Sequence, residues 1–278
     1  MKKKNECIKS LSLPFMNGIE TIFGHHIIND FRRHIHRTYI VGIIINGQRN
    51  IAHPVDITHI FKNELFILNP GQVHSCSSDE PAGHSYKILS VSPETIQKTA
   101  SQISEKTEKR PYFSEIKYTD KALTEQLMQL FEVIENPESD IQIESMIQSF
   151  LSSLIIGFSQ TPPPIYKPES QKKSIVRACD YIAANYSYNI SLTKLAKSAC
   201  LSPFHFQREF KKETGITPHE YLNDFRISLA KKLLLSSDNL ADIALQTGFF
   251  DQSHFSRIFR KTVGIPPKRY QDMNREKP

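Results

Sequence analysis

The chain has 278 residues, 39% hydrophobic and 23% charged, with a formal charge of +6, which is enough apolar material for two packed domains and excludes a fibrous or unfolded chain. No run approaches the roughly 18 apolar residues of a membrane span, and the opening MKKKNECIKSLSLPF lacks an apolar signal core, so a cytoplasmic protein with no membrane partner is expected. The four cysteines are dispersed without a CxxC pair, which favours reduced thiols over disulfides.

Residues 20 to 92 alternate short apolar runs with turn signals. YIVGIIIN (39–46) closes on Asn46-Gly47, and ITHIFKNELFILNPG (57–71) and SYKILSVSP (85–93) follow. This rhythm predicts strands of an antiparallel sheet folded into a small barrel or sandwich. Eight of the eleven histidines precede residue 85. RRHIHRTY puts His34 and His36 two apart, on one side of a strand, and NPGQVH ends in His74. Three imidazoles on one barrel interior suit a divalent metal, and they suit an effector or a structural role as well. The candidate effector-pocket residues are Arg33, His34, His36, Tyr39, Arg49, His74 and Tyr86; Arg33 beside His34 suits a carboxylate effector.

Between residues 119 and 159 the period becomes helical. Leu123, Leu127, Leu130, Phe131 and Ile134 mark one amphipathic helix, and Ile143, Met146, Ile147, Phe150, Leu154 and Phe158 a second, after Asn136-Pro137. They are expected to cover the sheet, to form a dimer interface, or both. TPPPIYKPESQKK then predicts an extended linker over 161–173. The domains read as 1–160, linker, and 174–278. Charge divides in the same place. From residue 171 onward there are 18 Lys and Arg against 10 Asp and Glu, whereas the preceding residues hold 17 against 19. The C-terminal part is built to meet a polyanion.

That part repeats itself. FHFQREFKKETGITPHEY (204–221) and SHFSRIFRKTVGIPPKRY (253–270) align without a gap at 9 of 18 positions, so one supersecondary unit is used twice. Each copy predicts a helix, a short turn and a second helix, over 191–214 and 240–263. Ser191 and Ser202 serve as N-caps, and Gly215 and Gly264 end the second helices. Phe206 and Phe210 face inward, as do Phe255 and Phe259. Phe204, Gln207, Arg208 and Lys211 face outward in the first copy, and Gln252, Ser253, Ser256 and Arg257 in the second. Such faces fit a major groove, where Arg reads guanine and Gln adenine, while Lys211, Lys212, Arg260 and Lys261 suit phosphates.

The pieces LAKSACLSPFHFQREFKKETGITPHEYL, RISLAKKLLL and IALQTGFFDQSHFSRIFRKTVGIPPKRY resemble the DNA-binding domain of the AraC/XylS family of bacterial transcription regulators. The resemblance implies two helix-turn-helix units joined by a long helix, entering adjacent major grooves. It nominates Phe204, Gln207, Arg208, Gln252, Ser253, Ser256 and Arg257 as base-facing. The first unit departs from the family pattern at Cys200, where glycine is expected. The HxH and GxxH segments resemble the cupin pattern without its usual glutamate, and family sensor domains with RHxH and NPGxxH segments bind organic effectors. The implied fold class is α+β, a cupin-like β-barrel with two C-terminal helices followed by an all-α domain. The implied function is a sequence-specific regulator, an activator, that responds to a small effector, binds double-stranded promoter DNA as a homodimer and engages RNA polymerase. The alternatives are a metal-responsive regulator using His34, His36 and His74, and a cupin-type metalloenzyme. No GxSxG, phosphate loop or HExxH appears, so no enzyme and no obligatory cofactor are expected.

Overall fold

The computed structural model describes residues 7–13, 15–16, 18–53, 56–165, 172–235, 239–263 and 265–275. Residues 166–171 of the expected linker, and Gly264, lie outside them. The chain divides into two compact units. The first comprises residues 1–135 and 146–166, the second 136–145 and 167–278.

Among the described residues the first unit has ten strands, all paired antiparallel: β1 (Cys7–Ser12), β2 (Ile19–Ile27), β3 (Phe31–His34), β4 (Tyr39–Asn46), β5 (Arg49–Ala52), β6 (Ile57–Ile60), β7 (Leu65–Leu68), β8 (His74–Ser77), β9 (His84–Val91) and β10 (Lys117–Tyr118). Six form one sheet in the order β1-β2-β9-β4-β7-β10, and four form another in the order β3-β8-β5-β6. The expected barrel or sandwich is present. Its core gathers Ile27, Ile40, Ile44, Phe66, Leu68, Tyr86 and Ile88 of the large sheet and Ile51, Ile60 and Cys76 of the small one. The first six residues of β4 are all buried, because the large sheet is covered on its other face too. Helix α1 (Pro93–Ser104) follows β9, and α2 (Lys121–Glu135) brings Phe131 to 5.7 Å from the Phe23 ring.

Helix α3 (Asp140–Phe158) corrects one expectation. Among the described residues it alone is long and apolar enough to cross a membrane, and 61% of that apolar window is buried. Ile147, Phe150, Leu151, Leu154 and Ile155 are all at most 1% exposed. Its first residues, through Ser145, group with the second unit although the linker's position puts them in the N-terminal domain.

The second unit contains α4 (Lys172–Asn185), α5 (Leu192–Ser198), α6 (Pro203–Thr214), α7 (Pro218–Leu234), α8 (Leu240–Gln246), α9 (Gln252–Val263) and α10 (Pro267–Arg275). Two cores lie side by side. One gathers Ile175, Ala178 and Ile182 of α4 with Leu195, Phe206, Phe210 and Leu222. The other gathers Ile227, Ala230 and Leu234 of α7 with Ile243, Phe249, Phe255, Ile258 and Phe259. Helix α7 supplies both, so it fixes one helix-turn-helix against the other.

Candidate functional site

The two copies are built alike, position by position. Ser191 caps α5 by accepting from Lys194 N, and Asn239, 48 positions later, caps α8 by accepting from Ala241 N and Asp242 N. Each turn then closes with the same pair of bonds: Cys200 N to Lys197 O and Leu201 N to Ala196 O, then Gly248 N to Leu245 O and Phe249 N to Ala244 O. Cys200 holds φ 56° and Gly248 φ 82°, so cysteine occupies the left-handed position that glycine fills in the second copy. The expected geometry is kept despite the substitution. After the turn the offset becomes 49. Ser202 caps α6 through His205 N, and Asp251 Oδ1 accepts from His254 N at the start of α9. The inward pairs Phe206–Phe210 and Phe255–Phe259 have ring centroids 5.3 and 5.6 Å apart. Tyr221 and Tyr270 each meet the second ring of their pair at 5.4 Å.

These frameworks leave two outward faces. Arg208, Gln252, Ser253 and Arg257 are exposed, and Phe204, Gln207 and Ser256 are half-buried. In the last turns, Lys211, Lys212, Arg260 and Lys261 are exposed. Ser256, Arg257, Arg260, Lys261 and Pro266 line an open depression of about 600 Å³ carrying three cations. Arg208, Lys211, Arg257 and Arg260 enter no ion pair among the described residues. Three other nominated groups are already engaged. Gln207 Nε2 donates to the Ser145 carbonyl (3.0 Å), Lys212 meets Glu209 at 3.3 Å, and Lys261 meets Glu138 at 3.5 Å. Glu144 accepts from Leu192 N at 2.8 Å, and burial pushes its carboxyl up despite that bond.

Sequence reasoning missed several residues here. Arg226 is 4% exposed, donates to the Tyr186 and Tyr188 carbonyls (2.8 and 3.0 Å), and lies over the Phe249 ring; burial lowers its pKa to about 10. Its signal was spacing, because Leu222, Arg226 and Ala230 form one buried stripe. His219 is 6% exposed and 3.9 Å from Glu138, and burial holds its pKa at about 4. Glu138 and Glu144 carried no sequence signal at all.

In the first unit, strand register brings the separated histidines together. His34 pairs directly with His74 across β3 and β8, and Gly71 N donates to the His36 carbonyl (2.8 Å), tying the end of the HxH segment to the NPG turn. His36 falls just past β3 rather than on it. Ring centroids lie 4.3 Å (His34–His74), 4.8 Å (His34–His36) and 5.1 Å (His36–His74) apart. Burial, then the neighbouring His74, His34 and Arg49, lowers the His36 pKa to about 4; burial also lowers that of His74, against the pull of the Gln72 carbonyl. His53, which sequence reasoning passed over, has its ring 6.3 Å from that of His74. Arg49 is buried among the rings of Phe31, Phe66 and Tyr86, at 5.4, 5.7 and 4.6 Å, with Nε and Nη1 lacking a partner. Arg33 is exposed on β3. Tyr39 donates its hydroxyl to the Pro111 carbonyl (2.6 Å), and burial raises its pKa.

Known proteins match both halves. Residues 17–151 match the AraC-like ligand binding domain family, and residues 195–273 match a helix-turn-helix domain family. An uncharacterized HTH-type transcriptional regulator of Bacillus subtilis (strain 168), YbfI, is 31% identical over 248 residues, 88% of this chain and 89% of its own. The lactose operon transcription activator of Staphylococcus xylosus is 23% identical, covering 76% of each chain. The HTH-type transcriptional activator RhaS of Escherichia coli O81 (strain ED1a) is 24% identical, covering 81% of this chain and 82% of its own. With a ligand-binding domain ahead of a doubled helix-turn-helix, and that identity over nearly its whole length, the chain belongs to the AraC family of DNA-binding transcriptional regulators.

Proposed function

We propose that the chain works in the cytoplasm as a homodimeric activator, whose β-barrel takes up a small effector and whose paired helix-turn-helix units then engage promoter DNA and RNA polymerase. Activation is supported by the two relatives named as activators. The observation that carries the reading is the equivalence of α6 and α9. With caps, turns and phenylalanine pairs matched, the copies present Arg208 and Arg257 at one repeat offset. In this reading Phe204, Gln207, Arg208, Gln252, Ser253, Ser256 and Arg257 face bases, and Lys211, Lys212, Arg260 and Lys261 neutralise phosphates. Arg49, with Nε and Nη1 unpartnered, and Tyr86 beside it supply the polar end of the effector pocket.

Residues 136–145 compete with DNA for part of this surface. The Ser145 carbonyl holds Gln207, and Glu138 holds Lys261, so a duplex must displace both contacts. Effector binding regulates the protein to the extent that it favours one arrangement of these contacts over the other.

The test is selection of the full-length chain on a random duplex library, followed by competition of the recovered site against unrelated DNA. A common site preferred by about 10³ or more supports the reading. Retention that depends only on fragment length and salt would overturn it.

A further inference from the structure

The second helix-turn-helix carries one residue that its framework does not use. Before the turn the copies stand 48 positions apart, and after it 49, so the second turn holds one residue more. Hydrogen bonds locate it. Leu201 N donates to the Ala196 carbonyl as Phe249 N does to the Ala244 carbonyl, so Phe249 answers Leu201. Ser202 and Asp251 each accept from the backbone N–H three residues on, at His205 and His254, so Asp251 answers Ser202. In the first copy those two positions are adjacent. In the second they enclose Phe250.

An apolar residue just ahead of a helix cap often packs on the fourth residue of the helix, which here is Phe255. That place is taken. Phe249 is 2% exposed, its ring lies 5.4 Å from that of Phe255 with the Arg226 guanidinium over it, and it belongs to the same core as Phe255 and Phe259. Phe250 is 87% exposed, a larger fraction than any other large hydrophobic side chain among the described residues. A single exposed apolar residue is ordinary, but this one has a telling position. It stands two residues before Gln252, the first residue of α9, and the N-terminal end of a recognition helix is the part that meets base edges in a major groove. Arg257, Arg260 and Lys261, on later turns of the same helix, line the depression whose cations attract the duplex. A phenyl ring offers no hydrogen bond, and the apolar group on a major-groove base edge is the C5 methyl of thymine.

We infer that Phe250 reads a thymine methyl group beside the base pairs addressed by Gln252 and Ser253, a contact made from a position the first copy lacks. The inference rests on the DNA-binding face proposed for α9.

The test uses the full-length chain and the site recovered from the random duplex library. Arg257→Ala marks the half of that site that α9 addresses. Within it, one thymine should be sensitive to replacement by deoxyuridine, which removes only the methyl group, with wild-type binding weakened about fourfold, the worth of one buried methyl. Phe250→Ala should bind the thymine and deoxyuridine duplexes equally, with an unchanged thermal midpoint because the ring lies outside the core. Phe250→Leu, which keeps an apolar side chain, should restore part of the difference, and Arg257→Ala should leave it intact. A methyl effect of equal size in wild type and Phe250→Ala, no thymine sensitive to deoxyuridine, or a uniform loss by Phe250→Ala on every duplex each overturns the inference alone. Recovery of no common site would overturn the promoter reading and this inference with it, so the two failures are distinguishable.

Discussion

The two helix-turn-helix copies share a framework and differ in what surrounds it. In the first, the tight turn tolerates Cys200, which is exposed. In the second, a Cβ on Gly248 would stand 2.4 Å from the Tyr186 carbonyl oxygen and 2.9 Å from Ser187 Cα. Residues 136–145 touch both copies, at Gln207 in the first and at Lys261 in the second, and the first is also packed against α4. On the second, the outward Gln252, Ser253 and Arg257 are exposed. The same backbone device is thus adjustable where it faces solvent and fixed where another segment crosses it. Sequence similarity alone does not tell which is which.

The largest test of that difference is at the turns. Gly248→Ala combines a left-handed φ with a backbone collision and should cost at least about 3 kcal/mol, read as a fall in the thermal midpoint with loss of DNA binding. Cys200→Gly, at the equivalent position, should stay within about 1 kcal/mol of wild type. Equal losses at the two turns would show that the copies are held in the same way.

Next comes pH. His219 has Lys268 as its counterpart, and only His219 is buried. Its folded pKa of about 4 lies below the ordinary 6.5, so between those values the unfolded chain binds more protons. Its contribution is intact above about pH 6.5 and is lost as pH falls toward 4, by up to about 3 kcal/mol. Glu138, Glu220, Lys261 and Arg226 act on the same ring. His219→Gln should flatten this part of the pH–stability curve; an unchanged acid slope would remove His219 as its source.

Smaller effects concern reading. Arg257→Ala and Arg208→Ala should each lose about 1–3 kcal/mol of discrimination in competition against altered sites, at different positions of the sequence. A loss at the same position for both would contradict separate reading by the two copies. Least of all, Glu138→Gln should release Lys261 and raise DNA affinity about two- to fivefold, whereas Lys212→Ala should lower the salt slope by about one. A salt slope equal to wild type would take Lys212 off the phosphate surface.

Much of this was legible before any coordinates. The repeat gave both helix-turn-helix units, the first copy's caps Ser191 and Ser202 and the inward phenylalanines of both, because those features are local and follow a fixed period; the second copy's caps Asn239 and Asp251 came only with the structure. The HxH and NPGxxH segments named the three histidines, although only the β3–β8 register explains why His34 meets His74. Other elements left weaker traces. Strand β1 is exposed at every position and so lacks the alternation that marks a strand. Helix α3 reads as an ordinary amphipathic helix, yet its first turns belong with the second unit. Glu138 and Glu144 act across long sequence separations, on Lys261 and Leu192, and no spacing rule connects them.

Helix α7, with one end in each core, turns two similar readers into one instrument with a head and a tail. Phe204, Gln207 and Arg208 do not match Ser253, Ser256 and Arg257 as a set, so under the proposed base-facing assignment reversing a target sequence would present the wrong half to each. A single chain would then need no palindrome and would give its target a direction. With α7 setting the separation of the two helices, a mismatch with the pitch of the duplex would fall on the DNA as curvature.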